Sequence, residues 1–585
     1  MKLSGWSILL VSILGECHTA FALWPMPRSL KTGTSLVKLA PFFEIQTSGI
    51  SNVPADLTAA IARTKTHLAT DKLERLVVGR GSVDSAALKH APSLTKLTLG
   101  LTPSAGRKVN SILTEATKDI AVRDETYSLS LPANGGSASI TASTSLGLLR
   151  GLQTFEQLFY DDGEGTTYAY QAPVTITNDK PAYPYRGFML DTARNYFPVA
   201  DIKRTLDAMS VVKMSVFHWH VVDSQSFPLT IPGFPELTQK GAYSSSQVYS
   251  TSDVQSIVQY AGERGIDVLL EIDTPGHTAI ISTSHPEHIA CAQATPWESF
   301  ANEPPAGQLR LANPATANFT ASFLSAIAKT LPSTLFSTGG DELNTNCYAQ
   351  DPQTQSELKA SGQTLEQALN AFTQTSHNAL KAIGKTPVVW EGNSLFLPKH
   401  KDICLTSCSV EMALVHNVTL SNSTVIMVWI SSDDAAAVAA KGLRLVHSPS
   451  DYFYLDCGAG EWIGNDAGGN SWCDPFKSWQ RAYTFDPLAN ISAAQAHLVL
   501  GGQQLLWTEQ AGPQNLDPIV WPRAAVSAEI FWTGATLPDG SAANVKEALP
   551  RLNDIRYRLA QRGINAINLQ PQWCALRDGQ CNLDS

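Results

Sequence analysis

Beyond residue 180 the chain repeats one pattern: a short, branched, apolar run, a polar break, then a longer stretch with apolar residues at helical spacing. The runs cover 186–191, 215–222, 267–272, 335–338, 387–390, 424–430, 444–447 and 498–506. Between them lie amphipathic stretches, among them 201–213, 252–264, 364–382 and 433–441. Eight strands alternating with helices over about 400 residues predict an α/β fold, a (β/α)8 barrel of the TIM type. A doubly wound sheet shares the alternation, but no glycine-rich phosphate loop supports one.

The pattern upstream differs. Residues 36–46, 97–101, 127–131 and 137–141 alternate as strands do, and 143–160 carries Leu146, Leu149, Leu152, Phe155 and Leu158 along one helical side. This predicts a smaller α+β domain over 23–180, closed off by Pro181 and Pro184, with the catalytic barrel over 181–585. The first 22 residues have a basic start, an apolar core (6–14) and the small-x-small end Ala20-Phe21-Ala22. They read as a secretory signal peptide, so a secreted, extracellular protein is expected, and no later segment is apolar for long enough to span a bilayer.

Composition narrows the function. Hydrophobic residues make up 43% and charged ones 16%, which fits large folded cores and argues against disorder. Lys+Arg 42 against Asp+Glu 52 gives a formal charge of −10, with no basic block. Nucleic acid and anionic membranes are therefore poor partners, and a neutral substrate fits best. Of the nine cysteines, Cys17 falls in the leader. The remaining even number reads as disulfides in an exported chain. Close spacing favours Cys404–Cys408, Cys457–Cys473 and Cys574–Cys581, which leaves Cys291–Cys347. Zinc is the alternative, but no Cys-x-x-Cys pair is present. Asn318, Asn417, Asn422 and Asn490 head glycosylation triplets, which also occur by chance.

Candidate chemistry collects at the ends of the eight runs, where barrel enzymes keep their active sites. In chain order these are Asp191 and Arg194; His218, His220 and Asp223; Asp273 and His277; Asp341 and Glu342; Trp390 and Glu391; Trp429; Tyr454 and Asp456; Trp507 and Glu509. Each alone has a plain structural reading. The histidines could be core residues bonded to backbone, Asp273 could shape a turn, and the tryptophans could be packing. Their coincidence at every strand end favours a site. The adjacent pair Asp341-Glu342 is its most telling part, because neighbouring carboxylates raise one another's pKa and suit acid/base work. Tryptophans, a tyrosine, an arginine and acids together suit a sugar, with aromatic faces on its C–H faces and charged forks on its hydroxyls. No cofactor is implied. His218 and His220 could ligate a metal, but no fitting further ligand stands out, so none is predicted.

Several motifs occur in one order: Arg186-Gly-Phe-Met-Leu-Asp-Thr-Ala-Arg194, His218-Trp-His-Val-Val-Asp223, Glu271-Ile-Asp-Thr-Pro-Gly-His277, Gly339-Gly-Asp-Glu342, Trp507-Thr-Glu509 and Trp521-Pro-Arg523. In this the chain resembles glycoside hydrolase family 20, the β-N-acetylhexosaminidases, and most of all the secreted fungal members. The resemblance covers nearly the whole mature chain. It implies removal of terminal β-linked N-acetylglucosamine or N-acetylgalactosamine, as in chitin degradation, with retention and with the substrate's own acetamide as nucleophile.

On that resemblance Asp341 orients the acetamide and Glu342 is the general acid. Tyr454 binds the acetamide oxygen, and Trp390, Trp429 and Trp507 wall the sugar. Arg194, Glu509 and Asp456 hold hydroxyls, and Asp223 and His277 tune the acid. Trp472, beside Cys473, is expected either to carry the next sugar or to pack on its own disulfide. Related enzymes are commonly dimers, though no patch here marks an interface.

The chain departs from the family pattern at Ser337, where many members have His, and at Ser224, where many have a second Asp. Gln503 and Gln504 replace a more usual Glu-Ala. A non-catalytic carbohydrate-binding barrel would predict loss of Asp341, Glu342 or Tyr454, and all three are present. A disaccharide-releasing relative of the same mechanism remains open at this stage.

Overall fold

The computed structural model describes residues 22–102, 109–391 and 418–583. Residues 1–21 of the leader, Cys404, Cys408 and Asn417 lie outside them. Eight parallel strands close into a barrel. They are β1 (Tyr185–Asp191), β2 (Val216–His220), β3 (Asp267–Glu271), β4 (Leu335–Ser337), β5 (Thr386–Trp390), β6 (Val425–Val428), β7 (Arg444–His447) and β8 (Val499–Leu506). β8 pairs back onto β1, from Gly501↔Tyr185 to Leu506↔Leu190. The strands are buried on both faces, which is why they read as apolar runs. β6 is shorter than expected, and Trp429 and Ile430 fall in the loop beyond it.

The connecting helices start where the sequence supplies caps. Ser250 and Asp253 form a reciprocal capping box at Thr251–Gly262, and Thr364 and Gln367 do the same at Leu365–Ala382. The loop after β3 makes a long excursion. At its base Ile289–Ala290 pairs with Gln308–Leu309. Cys291 at its start is bonded to Cys347, in the short helix Thr345–Gln350 that follows the Asp341-Glu342 pair. Cys457–Cys473 and Cys574–Cys581 are also bonded. Asn318, Asn422 and Asn490 are exposed.

Ahead of the barrel stands a six-stranded sheet in the order Lys31–Ser48, Ser93–Leu101, Gly136–Ala142, Tyr127–Leu131, Thr167–Asp179, Tyr160–Asp161. Ala55–Thr70 and Ser145–Gln157 pack against each other, with the latter lying on the sheet. Buried charges join this layer to the barrel. Glu125 Oε2 accepts from Arg150 Nε and from Arg186 Nη2 of β1, each at 2.6 Å. The helix Val545–Gln561 returns from the far end of the chain to the same junction. There Arg558 Nη2 donates to the carbonyls of Gln157 (3.0 Å) and Phe159 (3.1 Å), and Asp554 accepts from the Tyr160 hydroxyl at 2.8 Å. Among the described residues no helix is long and apolar enough to cross a membrane.

Candidate active site

The turn after β4 is built around Gly339. Its φ is +66°, and a Cβ there would sit 1.8 Å from Asp273 Oδ1, so only glycine fits. This close approach brings the β3 and β4 loops together, with Gly340 N–H donating to Asp273 Oδ1 at 2.8 Å. Glu342 and His277 both adopt φ of +53°, a left-handed conformation that non-glycine residues hold only where the surroundings enforce it.

Around this turn lies a cavity of about 290 Å³. Its wall includes Arg194, Asp223, His277, Asp341, Glu342, Trp429, Tyr454, Asp456, Trp472, Trp507 and Glu509, so most of the strand-end set meets in one place. Trp390 does not line it. The ring lies beneath, packed on His218 at 5.4 Å and on Trp507 at 5.8 Å, with its N–H donating to Glu271 at 3.0 Å. The expected wall position fails because this N–H is drawn down to a buried carboxylate. Trp472 is 65% exposed and meets Trp429 and Tyr454 edge-on at 5.7 and 5.9 Å.

The acids occupy distinct electrostatic settings. Burial raises the Asp341 carboxyl above its ordinary range, with Glu342 and Glu271 adding to the shift and His277 opposing it. Asp273 is raised further, by burial and then by Asp341 beside it. Asp273 and Asp341 share a hydrogen bond, which opposes the rise at Asp341 and adds to that at Asp273, and no third group donates to Asp273 Oδ2 or Asp341 Oδ1. For Asp223 burial works in the same direction, but Arg194, His277 and His220 outweigh it and hold the carboxyl well below the usual range.

Arg194 donates to Asp191 (3.3 Å) and Glu303 (3.0 Å), is ion-paired with Asp223 at 3.0 Å, and lies over the Trp507 ring at 5.1 Å. Burial raises Asp456 to about 7 and Glu509 well above its ordinary value. Such a group of acids around one guanidinium is rich in acceptors and donors for hydroxyls.

The histidines of β2 are not bonded to backbone, as the plain reading had it. His218 Nε2 lies 3.0 Å from Glu271 Oε2, and His220 bridges Glu271 and Asp223 (2.8 Å to the latter). Three trios of these acids and histidines have donor atoms within 4.8 Å of one another. His220 commits both ring nitrogens to carboxylates, which leaves it no lone pair for an ion.

Sequence reasoning missed Glu303. It lies on the excursion after β3, away from any strand end, flanked by Pro304-Pro305 between two bonded cysteines. An acid beside such a rigid, tethered turn was the available signal. It placed Asp273 among the strand-end acids, with turn shaping as the plain alternative, but gave it no role toward Asp341, which its carboxylate abuts.

The catalytic-domain model of glycosyl hydrolase family 20 matches residues 183–535, and a model described as beta-acetyl hexosaminidase like matches 23–158. The chain is 35% identical over 474 residues to a beta-hexosaminidase of Arthroderma benhamiae, covering 79% of this chain and 74% of that protein. It is 36% identical over 471 residues to the chitooligosaccharidolytic beta-N-acetylglucosaminidase of Ostrinia furnacalis, covering 78% and 75%. Its fold is similar to that of an exo beta-N-acetylglucosaminidase from Vibrio harveyi solved with N-acetylglucosamine. The TM-score is 0.69 at 22% identity, covering 95% of this chain and 79% of that one.

Proposed function

The chain belongs to glycosyl hydrolase family 20, and from that premise we infer a β-N-acetylhexosaminidase that removes terminal β-linked N-acetylhexosamine from chito-oligosaccharides and glycoconjugates. Hydrolysis is retaining and substrate-assisted. The 2-acetamido oxygen attacks the anomeric carbon as the glycosidic bond breaks, giving an oxazolinium ion that water then opens.

In this reading Glu342 protonates the departing oxygen and afterwards takes the proton of the attacking water. Asp341 accepts the acetamide N–H and offsets the positive charge developing on that nitrogen. Asp273, buried beside it, carries a proton so that Asp341 can stay the anion of the pair. Tyr454 donates to the acetamide oxygen. Trp429 and Trp507 enclose the acetamide and ring, with Trp390 backing Trp507. Arg194, Glu509 and Asp456 take the outer hydroxyls, and Asp223 and His277 hold the acid in place. Trp472 supports the next sugar on the loop closed by Cys457–Cys473. The reading extends to a smaller domain over 23–180 and a catalytic domain over 181–585. It also includes export, occupied sugar attachment at the exposed asparagines, and a homodimer.

One observation carries the assignment of the two acids. Asp341 and Glu342 are neighbours in sequence that both line the cavity, and the only side chain bonded to the buried Asp341 among the described residues is the carboxyl of Asp273. Two neighbouring carboxylates serve neighbouring atoms of one sugar: the acetamide nitrogen and the glycosidic oxygen. Aryl β-GlcNAc, aryl β-GalNAc, chito-oligosaccharides and an aryl β-glucoside lacking the acetamide form the decisive panel. The first three are expected to be cleaved with the β-anomer released first. Comparable turnover of the plain glucoside would reject the mechanism.

A further inference from the structure

Beneath the cavity an unbroken line of contacts leads from the barrel interior to the acid. The Tyr185 hydroxyl donates to Gln503 Oε1 at 2.8 Å, and Gln503 Nε2 lies 3.1 Å from His218 Nδ1. An amide nitrogen can only donate, so His218 Nδ1 accepts, and its Nε2–H points to Glu271 Oε2 at 3.0 Å. Glu271 also accepts from the Ser337 hydroxyl, from Trp390 Nε1 at 3.0 Å and from His220 Nδ1. The line continues from His220 Nε2 to Asp223 Oδ2 at 2.8 Å and from Asp223 Oδ1 to His277 Nδ1 at 3.1 Å. It ends in an ion-pair contact rather than an aligned hydrogen bond, with His277 Nε2 3.3 Å from Glu342 Oε2. Ser337 and Gln503, two of the departures from the family pattern, both fall on it.

We propose that His220 is a positioning residue for the proton on Glu342, acting through Asp223 and His277. The inference rests on Glu342 being the general acid. Asp223 faces three cations: His220, His277 and Arg194, the last at 3.0 Å. Each takes a share of one negative charge. With His220 charged, Asp223 pulls less on the His277 proton, and that proton can reside on Glu342, where the leaving oxygen needs it. Glu271, saturated by four donors, stays an anion and keeps His220 charged. Burial opposes that charge, but the bonds to Asp223 and Glu271 hold the ring at about 10.

Other groups also bear on the pair. His277 faces Asp223, Glu303 (3.8 Å), Asp273 and Glu342, and Asp341 stands beyond them. His220 faces Asp223 and Glu271, with Trp507 edge-on at 4.9 Å. None of these replaces the cation on the far side of Asp223.

The test is His220→Gln in the full chain, read on chitobiose and on a nitrophenyl β-GlcNAc across pH. Without the cation, Asp223 fixes the proton on His277 and leaves Glu342 ionised. The kcat for chitobiose should fall by about 10–100-fold, a part of the 10²–10⁴ that a whole general acid contributes. The activated aryl glycoside should lose much less, and KM should change by less than about twofold.

Losing a positive charge beyond Asp223 also raises the proton affinity of His277. The alkaline limb should therefore move up by about one pH unit while the plateau drops. A residue that merely packs the floor would lower both substrates equally and leave the limb in place, and that result overturns the proposal. If His220→Gln does not fold, Ser337→Ala decides. It deletes one donor to Glu271 and should move both readouts the same way, about two- to fivefold in kcat. A folded Ser337→Ala with neither readout moved would also overturn it. Wild-type protein inactive on both substrates would reject the underlying function instead.

Discussion

Replacing Asp341 by Asn tests the mechanism where it is most specific. The acetamide nitrogen gains positive charge as the oxazolinium forms, and Asp341 is the buried anion proposed to face it. A full charge about 4 Å away at an effective dielectric of 20 is worth about 4 kcal/mol, or about 10³ in rate. Charge spread over the ring and the hydrogen bond from Asp273 lower this figure, and the burial of Asp341 raises it. The expected loss in kcat is therefore about 10²–10⁴-fold for Asn, and similar for Ala.

The pH profile adds a sign. Burial raises the carboxyl pKa of Asp341, so wild-type kcat should fall as pH drops through that raised value and the anion is lost. The amide of Asp341→Asn cannot titrate, and the variant's profile should lose this acidic limb. A thiazoline analogue of N-acetylglucosamine should inhibit the wild type competitively and the variant more weakly. Steady-state kinetics on nitrophenyl β-GlcNAc reads all three. A loss under tenfold, or a sugar ester on any carboxylate by mass spectrometry, would refute the reasoning.

Four further outcomes are expected. Glu342→Gln should cripple hydrolysis of chitobiose far more than of an activated aryl glycoside, and equal losses would point to another role. Trp472→Ala should raise KM for chitobiose and chitotriose by about 1–2 kcal/mol while sparing a small aryl glycoside, and a fall in Tm with unchanged KM would mean the ring only packs. Gly339→Ala should cost about 2–4 kcal/mol in denaturant unfolding and abolish turnover, since its Cβ would collide with Asp273. Glu156, held at about 2 by His67 and Arg562 against the pull of burial, contributes stability that is present above about pH 4.5 and lost as pH falls toward 2. Acid titrations of the wild type and Glu156→Gln should differ over that window by about 3 kcal/mol and converge below it.

The barrel was legible because its strands are buried on both faces and so stand out as branched runs between polar breaks. The acids and aromatics at their ends were legible for a related reason, since a barrel gathers the ends of all eight at one mouth. What escaped had weaker local signals. Ala55–Thr70 is rich in Ala and Thr, with Leu57, Ile61 and Leu68 its only large apolar residues, so its apolar face is weak. Thr167–Asp179 contains Pro173, and Val545–Gln561 contains Pro550, which reads as a breaker. Within the site, the link among His218, Glu271 and Gln503 joins strands far apart in sequence, and no spacing rule connects them. Glu303 reaches Arg194 only because its loop folds back over the mouth.

The helix Val545–Gln561 has a consequence for how the protein is made. Its Arg558 and Asp554 bond to residues near 157–160, so the first layer of the molecule stays unfinished until this late helix arrives. At roughly 5–20 residues per second, the intervening ~400 residues take about 20–80 s to synthesise. For that time the surface around Glu156 and Tyr160 faces solvent or a chaperone. An early stop before this helix would leave that junction to the Glu125, Arg150 and Arg186 cluster alone, without the bonds of Arg558 and Asp554.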